Sequence, residues 1–216
     1  MICKHPLLFF KYLYMDIIFA TQNPHKLQEI QALLGESFKL VSLKDLDFKE
    51  DIPENQETLE GNALEKARFI FKRFKKACFA DDTGLEVKAL HGAPGVYSAR
   101  YAGPLSDFGT EQNRSAANIR KLLSELNGKK DYSAQFRTVI AFINEEGGEH
   151  LFDGIVKGTI IQDLRGQGGF GYDPVFAPEG FDLTFAEMPL SEKNKISHRA
   201  RAFHNFREFL FKGNNL

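Results

Sequence analysis

The sequence carries almost no net charge: 28 lysines and arginines stand against 29 aspartates and glutamates, a formal balance of −1 over 216 residues. That removes the global basic field needed to hold a nucleic-acid polymer or an anionic membrane, so any phosphate recognition must be local. Cysteine is scarce as well. Cys3 lies in the N-terminal stretch and Cys78 inside an apolar run, which argues against a disulfide framework and for a reducing compartment, hence the cytoplasm. No internal repeat, low-complexity tract or linker divides the chain. Long apolar runs are missing too. Lys11 splits Leu7-Leu8-Phe9-Phe10 from Tyr12-Leu13-Tyr14, leaving a segment too short to span a bilayer and without the small-x-small site of a cleaved leader. Residues 1–14 therefore read as an extension outside the fold, with Met15 as the working start and 15–216 as a single domain.

What is present is a globular composition, 43% hydrophobic and 26% charged, neither disordered nor fibrous. Ile17-Ile18-Phe19-Ala20 reads as a short buried strand. Thr21-Gln22-Asn23-Pro24-His25-Lys26 follows. Asn23 suits an N-cap and Pro24 the first helical position, and Leu27, Ile30, Leu33 and Leu34 repeat at helical spacing until Gly35. This is either an ordinary strand-to-helix turn or, through free N–H groups beside Lys26, a local phosphate site. It is not a Walker A loop, because the glycines are missing. Residues 38–43 read as a second strand and 45–56 as an acidic loop. Thr58 caps a helix with an apolar stripe through Leu59, Ala63, Leu64, Ala67, Ile70, Phe71 and Phe74. Asn62 and Lys66, four apart on a neighbouring face, point together either into solvent, the commoner case, or into a cleft.

The centre of the chain is Ala80-Asp81-Asp82-Thr83-Gly84-Leu85-Glu86-Val87. Two adjacent carboxylates follow the apolar run 77–80, which places them at a strand's end, with Leu85-Glu86-Val87 as a further short strand. Neighbouring carboxylates oppose each other's ionisation unless a cation intervenes, so the pair suggests a hard ion such as Mg2+. A polar turn is the plain alternative.

Downstream, 91–95 is turn chemistry, 107–126 holds a helix stopped by Asn127-Gly128, and 132–144 with 149–162 form a hairpin. Strand-helix alternation followed by a long antiparallel pair implies a mixed α/β sheet with flanking helices, in two lobes around a groove. Arg165-Gly166-Gln167-Gly168-Gly169-Phe170-Gly171-Tyr172-Asp173-Pro174 is either a flexible turn before a strand at Val175-Phe176 or a loop whose four glycines permit close backbone approach to a flat or anionic ligand. Phe170 and Tyr172 offer ring faces there, and Asp173 an acceptor. Lys193, Lys195, His198 and Arg199 are either a solvated basic patch or cations for a polyphosphate. A terminal helix buries Phe203, Phe206 and Leu210.

Taken in order, Thr21-Gln22-Asn23 with Lys26, Glu57 to Ala67, Ala80 to Leu85, Gly92 to Tyr101, Gly168 to Pro174, and Lys193 with Ile196-Ser197-His198-Arg199 resemble the Ham1/RdgB-like inosine triphosphate pyrophosphatase family. The resemblance runs from about Asp16 to the final helix. It implies an enzyme that hydrolyses non-canonical purine nucleoside triphosphates (ITP, XTP and their deoxy forms) to monophosphate and pyrophosphate, cleansing the nucleotide pool. It also implies Mg2+, an elongated mixed-sheet fold with a central substrate cleft, and a homodimer. Carried onto this sequence, Asp82 becomes the proton acceptor supported by Asp81, and Glu54 with Asp82 the metal ligands. Asn23, Pro24, His25 and Lys26, with Lys66 and Lys193, clamp the phosphate chain, and Thr21, Gln22 and Thr83 join them as substrate-binding residues. Phe170 becomes the stacking ring within a base-binding loop of Gly171, Tyr172 and Asp173, with His198 and Arg199 donating near the C6 oxygen. Two positions depart from the family pattern, Gln22 for glycine and Thr83 for serine; Thr83 keeps the hydroxyl. A Maf-like pyrophosphatase for modified pyrimidine nucleotides and a purine-nucleotide-binding module without hydrolysis are the competing readings.

Overall fold

The computed structural model describes residues 16–34 and 38–212. The expected extension at 1–14 and the helix stop at Gly35 lie outside the described residues. The elements are β1 (Asp16–Phe19), α1 (Pro24–Leu34), β2 (Lys39–Ser42), α2 (Leu59–Phe74), β3 (Cys78–Val87), β4 (Pro94–Gly95), α3 (Glu111–Leu126), β5 (Ser133–Ile143), β6 (Glu149–Ile160), β7 (Phe176–Pro178), α4 (Leu190–Ile196) and α5 (His198–Lys212). The strands form one sheet in the order β2-β1-β3-β5-β6-β7, with β4 on β3. β1 runs parallel to β2 and β3, while β3–β4 and β6–β7 are antiparallel, so the sheet is mixed, as expected. The hairpin is there as well: β5 turns into β6 through Asn144, whose N–H donates to Gly148 O at 3.0 Å.

The chain gathers into two compact units, one of residues up to Asp82 with Val139–Gly154 and 200 onward, the other Thr83–Thr138 with Ile155–Arg199. The chain passes between them within β3, β5, β6 and α5, inside regular structure, which is why no linker is visible in the sequence. Each unit has its own core. In the first, Ile17, Phe19, Ile30, Phe79, Phe142, Phe203 and Phe206 pack together, with the Phe19 and Phe79 rings stacked at 4.5 Å. In the second, Leu85, Ile119, Leu122, Phe136, Val156, Phe176 and Phe185 do so, with Phe136 against Phe176 at 4.7 Å. Each such side chain contributes roughly 1.5–3 kcal/mol through removal from water.

β3 differs from its expected form. It runs ten residues, from Cys78 to Val87, so Asp81 and Asp82 sit mid-strand instead of at a strand end, and Leu85-Glu86-Val87 continues the same strand. Burial along it is nearly unbroken, as in an inner strand covered on both faces. Charged residues normally terminate such a run because burying an unpaired carboxylate is prohibitive. Here each carboxylate meets its own lysine, and the strand continues.

Candidate active site

In the first unit, β3 holds the acids and two helices bring the cations. Consecutive strand side chains leave on opposite sides. Asp81 meets α1, where Lys26 Nζ lies 3.0 Å from its Oδ1. Asp82 meets α2, where Lys66 Nζ lies 3.0 Å from Oδ1 and Asn62 Nδ2 donates to Oδ2 at 3.2 Å. The two aspartates therefore do not share one cation as a pair. Asp81 is 1% and Asp82 7% exposed, so these contacts act in a medium where charge interactions are strong.

Lys66 also reaches Glu54 Oε1 at 2.7 Å. Burial would push its ammonium toward neutrality, but the negative charges of Asp82, then Glu54 and Asp81, outweigh that and hold it above its ordinary value. It stays a cation. The acidic loop is thus drawn to the strand, and Glu54, among the acids of that loop, is the one that meets Asp82's partner. Asn62 and Lys66 are both buried, which overturns the solvated-face reading of that pair.

The loop carrying Glu54 is held along its length. Gln22 Nε2 donates to Glu50 O at 3.0 Å, Asn55 N to Glu65 Oε2 at 2.8 Å, and Gln56 N to Asn62 Oδ1 at 2.9 Å. Gln22 therefore ties two loops together. Thr58 Oγ1 accepts from Gly61 N at 3.0 Å and starts α2 as expected.

The start of α1 corrects one expectation. Asn23 Oδ1 accepts from His25 N at 2.9 Å and Lys26 N at 3.3 Å, and Thr21 Oγ1 accepts from Asn23 N at 3.2 Å. The first N–H groups serve the cap instead of standing free. Pro24 and His25 are exposed, and the cationic group of this turn is the Lys26 ammonium.

In the second unit, a different set gathers around Phe170. Asp173 Oδ2 accepts from Phe170 N at 2.8 Å and from Lys193 Nζ at 2.6 Å. Lys193 and Arg199 lie 5.3 and 5.6 Å from the Phe170 ring centre. Arg199 Nη2 donates to Thr83 Oγ1 at 3.1 Å, and Thr83 Oγ1 is 2.7 Å from Thr138 Oγ1. His198 stacks on Phe136 at 4.6 Å. Gly169, at φ 68°, allows the tight approach: a Cβ there would sit 2.1 Å from Asp173 Oδ2. Gly171, at φ 63°, also has a left-handed backbone.

Two further expectations change here. Lys193, His198 and Arg199 are all buried, so they are not a solvated patch; only Lys195 is exposed, paired with Glu192 at 2.7 Å. Lys193 is held by Asp173 at 2.6 Å within this unit. Tyr172 is no open ring face. It is 3% exposed within the core, its hydroxyl donates to Ser98 O at 2.9 Å, and burial pushes its phenol well above the ordinary value. The sequence reading missed Glu65 and Thr138. A carboxylate in helical register with Asn62 and Lys66 was the available signal for Glu65; Thr138 sits in an apolar strand and gave none.

Glu54 and Asp82 fit a hard divalent cation by donor chemistry, since both offer carboxylate oxygens gathered on one ammonium. Among the described residues no group of three or more His, Cys, Asp or Glu side chains could hold a metal. An ion such as Mg2+, which takes one or two carboxylates and fills its octahedron with water and phosphate oxygens, suits so sparse a set.

The Ham1 family model matches residues 17–209. A dITP/XTP pyrophosphatase of Porphyromonas gingivalis is 54% identical over 195 residues, covering 90% of this chain and 96% of that protein. One from Flavobacterium johnsoniae is 50% identical, covering 91% and 98%. Among solved structures, the Ham1 protein of Staphylococcus aureus superposes with a TM-score of 0.80 at 35% identity, covering 92% of this chain and 99% of that one. The dITP/XTP pyrophosphatase of Mycobacterium abscessus does so at 0.69 and 41% identity, covering 89% and 98%.

Proposed function

The chain belongs to the Ham1 family, and on that premise we propose that it hydrolyses dITP, XTP and related non-canonical purine nucleoside triphosphates to the monophosphate and pyrophosphate. The observation that carries the reading is the buried Asp82 carboxylate gathered with Glu54 on the Lys66 ammonium. A protein that only bound nucleotide would gain nothing from acids held against phosphates.

In the proposed reaction Asp82 takes a proton from water as the water oxygen bonds to the α-phosphorus. The bond from that phosphorus to the bridging oxygen breaks, and its electron pair leaves with pyrophosphate. Lys66 holds Asp82 Oδ1 and Asn62 donates to Oδ2, which fixes the rotation of the carboxylate. Lys26, anchored by Asp81, faces the phosphate chain. Glu54 and Asp82 would hold a divalent ion such as Mg2+, which would supply charge neutralisation to the triphosphate oxygens.

The base stacks on Phe170, with Arg199 and His198 donating toward the C6 oxygen. Asp173 holds the stacking loop through one oxygen and accepts from N1–H with the other. Adenine carries an amine at C6 and an acceptor at N1, so it would leave these buried groups unsatisfied. By family likeness the working form is a cytoplasmic homodimer. Among the described residues no helix is long and apolar enough to cross a membrane.

Pyrophosphate release across dITP, XTP, dATP, dGTP and modified pyrimidine triphosphates tests the reading. Preference for dITP and XTP supports it, and preference for the pyrimidines or absence of turnover refutes it.

A further inference from the structure

We propose that Asn62 is a positioning residue for hydrolysis, fastening the Asp82 carboxylate to the loop that carries Glu54; this rests on the reading of Asp82 as proton acceptor. Asn62 is 1% exposed, and both ends of its amide are committed. Gln56 N is a donor only and faces Oδ1 at 2.9 Å. Asp82 Oδ2 accepts from Nδ2 at 3.2 Å. The partners therefore dictate which end of the amide is oxygen.

Lys66 cannot do this alone. Its ammonium is a point charge with rotatable donors and holds Asp82 Oδ1 without fixing the carboxylate plane. Adding the Asn62 contact to Oδ2 pins the second oxygen and sets the plane. Each carboxylate oxygen has two lone pairs, so capacity remains to receive a proton from water.

The same helix face reads the loop residue by residue. Asn62, Glu65 and Lys66 stand at i, i+3 and i+4, where side chains are neighbours. Lys66 takes Glu54, Glu65 takes Asn55 N and Gln56 Nε2, and Asn62 takes Gln56 N. One rigid helix thus sets the loop's register, and Asn62 touches both loop and acid, as Lys66 does, but through the other carboxylate oxygen, Oδ2. Aspartate at 62 would keep the acceptor for Gln56 N but set a second carboxylate against Asp82. Alanine would release both partners.

The experiment compares wild type, Asn62→Asp, Asn62→Ala and Glu65→Ala for pyrophosphate release from dITP, with kcat and KM separated. Thermal midpoints and amide exchange at Asn55 and Gln56 are recorded in the metal-free enzyme. Asn62→Asp is expected to lower kcat about 100-fold, as a displaced catalytic group does, with KM within about 3-fold and the loop amides still protected. Asn62→Ala is expected to lose the same rate and expose the Gln56 amide to exchange. Glu65→Ala is expected to speed exchange at Asn55 and raise the Mg2+ concentration for half-maximal rate about 10-fold, as loss of an outer-shell contact does. Wild-type kcat in Asn62→Asp, or unchanged exchange at Gln56 in Asn62→Ala, overturns the proposal. So does failure of both Asn62 variants to fold, which would make the residue structural. An inactive wild type defeats the proposed activity itself and is thereby distinguished from these outcomes.

Discussion

Lys66 Nζ lies 3.0 Å from Asp82 Oδ1 and 2.7 Å from Glu54 Oε1, so a single ammonium from α2 joins an acid of the central strand to an acid of the loop. A buried charge is tolerated only when paired, and removing one partner leaves the other uncompensated. Lys66 therefore contributes to folding and to the arrangement of the acids together.

Lys66→Met is expected to destabilise the ligand-free protein by about 3 kcal/mol, the usual cost of breaking a buried pair. Added Mg2+ should recover part of that loss by replacing the missing positive charge. Thermal melts with and without Mg2+ check this, and the metal-dependent rise in midpoint should be larger in the variant than in wild type.

Arg199→Ala removes the donor to Thr83 and a cation beside Phe170. The ratio of kcat/KM for dITP to that for dATP is expected to fall at least about 10-fold, because a pocket that reads a base by buried hydrogen bonds loses discrimination with the donor. The ratio separates base reading from any loss of stability, which lowers both values alike.

Thr58→Ala removes the side-chain cap from Gly61 N and should cost about 1 kcal/mol, while Thr58→Ser should cost little. Urea unfolding measures both. Since α2 carries Asn62, Glu65 and Lys66, fraying at its start should also raise amide exchange at Gln56.

Cys78 is fully buried, and burial pushes its thiol up to about 12. The thiolate is the reactive form, so iodoacetamide at pH 8 should leave Cys78 unmodified in the native protein and modify it after denaturation. Peptide mapping by mass spectrometry distinguishes it from Cys3.

These predictions differ in how far the sequence already carried them. Periodicity located the Thr58 cap, the α2 stripe and the 132–162 hairpin, because each is set by local spacing. The extent of β3 was not legible. Asp81 and Asp82 look like the end of an apolar run until Lys26 and Lys66, 55 and 16 residues away in sequence, are seen to compensate them. The fate of Asn62 and Lys66 had the same origin, since a polar pair on a helix reads as solvated unless its partner strand is known.

The glycine loop was half legible. Gly169 and Gly171 signalled a special backbone, and Phe170 stands partly exposed with two cations near its ring. Tyr172 has the same aromatic signature but faces inward, because its hydroxyl finds Ser98 O and its ring finds the core. Aromatic character alone does not say which of two alternate side chains stays accessible and which turns to the core.

The most direct test of the proposed activity is pyrophosphate release from dITP by Asp82→Asn, a change that preserves shape while removing the proton acceptor. Turnover is expected to fall by at least about 1,000-fold, within the range attributed to a general base, with the circular dichroism spectrum unchanged. A folded variant that keeps near-wild-type turnover would contradict the assignment of Asp82 and the mechanism built on it.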